Sequence, residues 1–89
     1  MTDQPWSIEF SPRSRKDLDR VDRQVRRRVY AALQRIAADP RHATGVRKLT
    51  GVEEWRIRVG AWRVRFTKDE DTRTIYITRV LPRGRAYDR

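Results

Sequence analysis

From Trp55 to Phe66 the chain reads WRIRVGAWRVRF, two stretches of strict alternation around Gly60-Ala61. A strand repeats every two residues, so Trp55, Ile57, Val59, Trp62, Val64 and Phe66 share one face and Arg56, Arg58, Arg63 and Arg65 share the other. Glycine at the first central position of a two-residue loop favours a type II′ turn, which sets Val59 opposite Trp62 and Arg58 opposite Arg63. The apolar face has to be covered by other elements. The arginine face needs a separate reason, because like charges directly opposite one another destabilise a sheet. A solvated face without a task mixes Thr, Lys, Glu and Ser. Here every outward position is Arg, whose planar fork matches a phosphate bidentately and whose charge does not titrate away. The face is therefore read as meeting a polyanion.

Composition supports that reading and narrows the class. At 89 residues the chain is expected to form a single domain, 1–89, with a modest core. Its net charge is +10, and of its 22 basic residues only Lys16, Lys48 and Lys68 are lysines. Up to Glu54 there are 12 basic against 8 acidic residues, and after it 10 against 4, so the shorter part that holds the hairpin is the more basic. Such a surplus suits nucleic acid, a ribosome or an acidic protein. No cysteine is present, which excludes disulfides and thiolate metal sites. No apolar run approaches a membrane span and no signal peptide opens the chain, so a soluble cytoplasmic protein without membrane contact is expected.

The remaining segments supply cover for the hairpin. Trp6, Ile8 and Phe10 alternate with polar residues as a short first strand. Ser11-Pro12 reads as an N-cap followed by proline in the first turn of a short polar helix, running to about Arg20 with Leu18 inward. Val21-Asp22 breaks it. A second helix carries Val25, Val29, Leu33 and Ile36 at helical spacing and stops at Asp39-Pro40. Its Arg26-Arg27-Arg28 run reads as a solvated surface, and His42, the only histidine, as a surface residue in the loop beyond. A short strand is expected near Val46 to Leu49. After the hairpin and the acidic turn Asp69-Glu70-Asp71, a last strand from about Thr72 to Leu81 is expected to put Ile75 and Ile77 on one face and Tyr76, Thr78 and Val80 on the other. The fold class is α+β: an N-terminal strand, a two-helix hairpin, then an antiparallel sheet of three sequential strands, with the helices on one sheet face and the arginine face left open as a shallow groove.

This order, with SPRSRKDLDRVD leading into a Val/Leu-striped helix that ends in DP, then a KLTG segment and the WRIRVGAWRVRF hairpin, resembles the RelE/ParE toxin superfamily. The resemblance runs from Trp6 nearly to the end. Its most specific part is the hairpin taken together with Arg83 and Tyr87. It implies a toxin held inactive by a cognate antitoxin. In the RelE branch it implies an endoribonuclease that cuts messenger RNA in the ribosomal A site. Two basic residues on the strand before the turn are matched by Arg56 and Arg58, the arginine after the turn by Arg63, and the C-terminal arginine and tyrosine by Arg83 and Tyr87. The family often has lysine on the first of these strands, and Leu81-Pro82 stands where a Gly-His is usual.

The chemistry implied needs neither metal nor cofactor. An RNA 2′-hydroxyl can attack the adjacent phosphate if the protein aligns the attack, removes a proton and neutralises the phosphorane. Arg63, Arg83 and Tyr87 are the candidate catalytic residues: Arg63 for the scissile phosphate, Tyr87 as base, and Arg83 at the transition state or leaving group. Arg56, Arg58, Arg65 and Arg85 are candidates for gripping flanking phosphates. Glu53 and Glu54 are an alternative source of a base, against the simpler reading of a solvated loop pair. Tyr76 is the nearest aromatic for stacking an RNA base. The expected partners are the antitoxin, through an acidic or amphipathic helix on the basic surface, and the ribosome with its message. Two other readings stay open: a ParE-like inhibitor of DNA gyrase, and a basic nucleic-acid-binding module without activity.

Overall fold

The hairpin forms in the register that the alternation dictates. In the computed structural model, which describes residues 4–41, 43, 45–49, 51 and 53–82, Val59 stands opposite Trp62 and Arg58 opposite Arg63. Gly60 sits at φ +59° while Ala61 keeps a negative φ, as a type II′ turn requires. The two hairpin strands, β3 (Trp55–Val59) and β4 (Trp62–Asp69), follow β1 (Ser7–Phe10), α1 (Pro12–Asp19), α2 (Arg23–Ala38) and β2 (Val46–Lys48), and precede β5 (Thr74–Pro82).

All five strands join one sheet in the order β1-β5-β4-β3-β2. The three sequential strands expected from the sequence are its centre. Beyond them, β2 adds an antiparallel edge, and β1 pairs with β5 in parallel, Ser7 opposite Thr74 and Phe10 opposite Ile77. A parallel partner cannot be reached by a tight turn, and here the long connection holds both helices.

Local chemistry sets the helix ends. The Ser11 hydroxyl accepts from the Ser14 N–H at 3.0 Å, with Pro12 in the first turn, and the Asp22 carboxylate accepts from the Val25 N–H at 2.9 Å. Val29, Leu33 and Ile36 of α2 pack with Ile57, Val64, Phe66, Ile75 and Ile77, each at most 2% exposed. Burial of one such side chain contributes about 1.5–3 kcal/mol. Leu18 and Val21 join the same core, so Val21 anchors the break between the helices. Lys68 pins the end of α2 to the sheet: its ammonium lies 3.9 Å from the centre of the Trp55 ring and donates to the Pro40 carbonyl at 3.3 Å. Burial pushes the Lys68 pKa below its ordinary value, against the pull of Glu70 and with that of Arg41.

One expectation about the last strand is overturned. Strict alternation puts Val80 on the face of Tyr76, yet it is buried in the core with Ile75 and Ile77. The pairing of β4 with β5 shifts between Arg65 and Phe66: Phe66 faces Ile77 while Arg65 faces Arg79. Thr78 is the extra residue of a β-bulge, and its hydroxyl donates to the Arg65 carbonyl at 3.1 Å. After the bulge the alternation restarts in the other phase, which returns Val80 to the core.

Candidate functional site

The face away from the helices is built by β3, β4 and β5, and two cross-strand rows of it place arginines side by side. Arg56 stands opposite Arg65, Arg58 opposite Arg63, and Arg65 also opposite Arg79; Leu81 flanks Arg63 from the far side. The open groove expected from the sequence is a correction here. Arg58 is exposed, Arg56 and Arg65 are half-buried, and Arg63 is only 4% exposed. Arg63 lies on β4, the central strand, between Arg58 of β3 and Leu81 of β5.

Carboxylates answer part of the repulsion. Glu54, just ahead of β3, accepts from Arg65 Nε at 2.9 Å and also from its Nη2. Asp17 of α1 accepts from Arg79 Nε at 2.8 Å, from Arg79 Nη2 at 3.2 Å and from the Val80 N–H at 2.8 Å. Arg65 and Arg79, directly opposed, thus each have an anion of their own. Glu53 lies at the surface, 3.4 Å from the Lys48 ammonium. The sequence reading has Glu54 as a base or a solvated loop residue, not as the partner of Arg65, and it does not include Asp17. Cross-strand spacing could have found the first, since Glu54 precedes β3 where Arg65 leaves its diagonal neighbour; nothing local points to a partner 62 residues away.

Burial of Asp17 works to raise its pKa, but the hydrogen bonds from Arg79 and Val80, with the charges of Arg79 and Arg13, outweigh it and hold the carboxyl below the ordinary 3.8. The hydrogen bond to Asp17 raises the Arg79 pKa in turn, against burial. The folded protein therefore binds this proton less readily than the unfolded chain. The stabilisation is complete well above pH 3.8 and is lost as pH falls through the lower folded value. Asp17→Asn is expected to cost about 1–3 kcal/mol at neutral pH. In urea unfolding at descending pH, the gap between variant and wild type should close once the wild-type carboxyl is protonated.

Charge also gathers around the turn. A Cβ on Gly60 would lie 3.2 Å from Arg28 Nη2, so α2 brings a guanidinium onto the loop beside Arg58 and Arg63. The last residue of β5, Pro82, is opposite Trp62 at this same end. Arg83, Arg85 and Tyr87 follow it in sequence and lie outside the described residues, as does His42. Tyr76 is 38% exposed but stands opposite Thr67, four residues along β4 from Arg63 and roughly 13 Å from its row. The structure therefore brings Arg58 and Arg63 together and leaves Tyr76 apart. A cavity of about 440 Å³ lined by Trp6, Pro40, Arg41, Glu70 and Arg73 lies at the opposite end, where β4 turns into β5. Among the described residues no three His, Cys, Asp or Glu side chains gather in a way that could hold a metal ion, and no helix is long and apolar enough to cross a membrane.

The sequence profile of the ParE toxin of the type II toxin-antitoxin system, parDE, matches residues 8–87. The chain belongs to the ParE toxin family. It is a toxin of a type II toxin-antitoxin system, within the RelE/ParE superfamily. Solved structures agree in architecture. The RelB-RelE antitoxin-toxin complex from Methanococcus jannaschii is 27% identical over 90% of this chain and 95% of that one, with a TM-score of 0.71. The archaeal RelE-RelB complex from Pyrococcus horikoshii is 25% identical, covering 93% of this chain and 100% of that one at a TM-score of 0.77. The toxin-antitoxin complex RelBE2 from Mycobacterium tuberculosis shares the fold at 22% identity and a TM-score of 0.78, over 90% of this chain and 100% of that one. No curated protein matches the sequence. The ParE-family fold thus accounts for both helices and the five-stranded mixed sheet.

Proposed function

We propose that this toxin is a ribosome-dependent endoribonuclease that cuts messenger RNA in the A site and so stops translation. The observation that carries the reading is the Arg58 and Arg63 pair, directly opposed beside the hairpin turn on the face away from the helices, one exposed and one seated in the central strand. A guanidinium already fixed by its surroundings loses little side-chain freedom when it meets a phosphate, and fixed donors are what a developing phosphorane needs.

In the reaction the 2′-oxygen of one nucleotide attacks the adjacent phosphorus and the bond to the 5′-oxygen breaks. The products are a 2′,3′-cyclic phosphate and a 5′-hydroxyl. The 2′-proton leaves to a base and the departing 5′-oxygen takes up a proton. Arg63 holds the scissile phosphate. Tyr87 is the base: an ordinary phenol titrates near 10, and a cation placed beside a phenol favours its ionised form. Arg83 stabilises the phosphorane or stands by the leaving oxygen; a guanidinium is a poor proton donor, so its contribution is charge. Arg56, Arg58 and Arg85 grip flanking phosphates. Arg65, already engaged by Glu54, contributes less than these. That ion pair also makes Glu54 a charge partner rather than the base. An antitoxin segment of acidic or amphipathic character covers this surface in the resting cell, and the site of action is the cytoplasm. The RelE neighbours from both archaea were solved with RelB antitoxins, which supports a partner of this kind.

The parDE profile favours a second reading, inhibition of DNA gyrase by protein contact on the same fold. One experiment separates them. Purified protein added to ribosomes programmed with a defined message is expected to cut it in the A site, and to leave the same message intact without ribosomes. Intact message in both cases, with gyrase-dependent DNA damage in cells, assigns the second.

A further inference from the structure

β1 ends opposite Ile77, and past that point β5 has no strand on its outer side. The edge is nonetheless satisfied, by α1. The Ser11 N–H donates to the Ile77 carbonyl at 2.9 Å and the Ser11 hydroxyl to the Thr78 carbonyl at 3.1 Å. Three residues further on, the Asp17 carboxylate takes the Val80 N–H at 2.8 Å. Ser11, the cap of α1, and Asp17 within it thus continue the ladder that β1 leaves unfinished.

This edge follows directly on the bulge at Thr78, where one extra residue interrupts the ladder between β4 and β5. The residues whose register depends on it are Val80, opposite Val64, and Leu81, opposite Arg63. Asp17 is 9% exposed, and its hydrogen bonds run to Arg79 and Val80, the first residues after the bulge. Its fork-to-fork pairing with Arg79 also draws that cation away from Arg65, directly opposite. Loss of the carboxylate would leave the Val80 amide without an acceptor and a second guanidinium facing Arg65.

We propose that Asp17 is a positioning residue for Arg63: it locks the end of β5 after the bulge, and that strand end is the wall against which Arg63 is seated. Asp17 touches neither RNA nor reacting atoms in this scheme and acts through Val80 and Leu81. The inference rests on the ribonuclease reading for its consequence in catalysis and on the geometry alone for its consequence in structure.

The test compares full-length wild type, Asp17→Ala and Asp17→Asn, by cleavage of a defined message on programmed ribosomes and by amide hydrogen exchange. Asp17→Ala is expected to lower kcat by about 10–10²-fold with KM unchanged, as a displaced catalytic group would. Asp17→Asn keeps an oxygen for the Val80 N–H and is expected to recover part of that loss. In the alanine variant, exchange at Val80 and Leu81 should rise by about tenfold or more while Ile57 and Val64 stay protected. Protection retained at Val80, exchange raised equally throughout the sheet, or a loss confined to KM overturns the proposal. A wild-type protein that cuts no message overturns the ribonuclease reading alone, and the exchange pattern then decides by itself whether Asp17 fixes the end of β5. If Asp17→Ala does not fold, the exchange and kcat of Asp17→Asn decide in its place, with wild-type values for both overturning the proposal.

Discussion

Arg63→Ala is expected to reduce cleavage on programmed ribosomes by about 10²–10³-fold, the usual effect of removing one fixed donor from a developing anion. The loss should fall on kcat, because Arg58 and the other basic residues still hold the message. Arg63→Lys is expected to recover only part of it, since a lysine keeps the charge but not the planar fork. Arg58→Ala gives the contrast: an exposed side chain that grips a flanking phosphate should chiefly weaken binding and flatten its salt dependence. Single-turnover cleavage alongside ribosome sedimentation separates the two. An Arg63→Ala protein that cuts at near wild-type rate would remove Arg63 from the site.

Phe66→Ala is expected to be the most damaging change to stability, at about 3–5 kcal/mol. Phe66 is fully buried, faces Trp55 on β3 and Ile77 on β5, and adjoins the bulge that resets the phase of β5. Its removal leaves a void between three strands and also loosens the place where register is decided. Domains of this kind are stable by about 5–15 kcal/mol in all, and a modest core points to the lower part of that range. Urea unfolding monitored by tryptophan fluorescence measures the loss. A cost below about 1 kcal/mol would mean that the core repacks around the gap.

Much of this architecture was legible because it is written locally. The hairpin register follows from unbroken alternation and one glycine, and the helix starts follow from Ser11-Pro12 and Asp22. The bulge left a trace that alternation alone misreads: in TIYITRVL the apolar positions Ile77 and Val80 are three apart, a spacing that a regular strand cannot put on one face. The parallel pairing of β1 with β5 had no local signal. The site was legible as a set of arginines and not as a distribution of charge. One of them, Arg65, and outside that set Arg79, are answered by Glu54 and Asp17 through contacts that depend on how strands and helices are brought together. The burial of Arg63 likewise has no signal in the alternation around it, which gives Arg63 and Arg65 the same pattern.

The strand order also fixes when the protein can become itself during synthesis. β1 and α1 leave the ribosome early, but their hydrogen-bond partners on β5 come 67 residues later, as the bond between Ser11 and Thr78 records. Until then the apolar stripe of α2 has only a partial sheet to cover it. Contacts this distant along the chain slow folding, because the loop between them must be closed before they contribute. The nascent chain therefore exposes apolar surface before it has a finished arginine face.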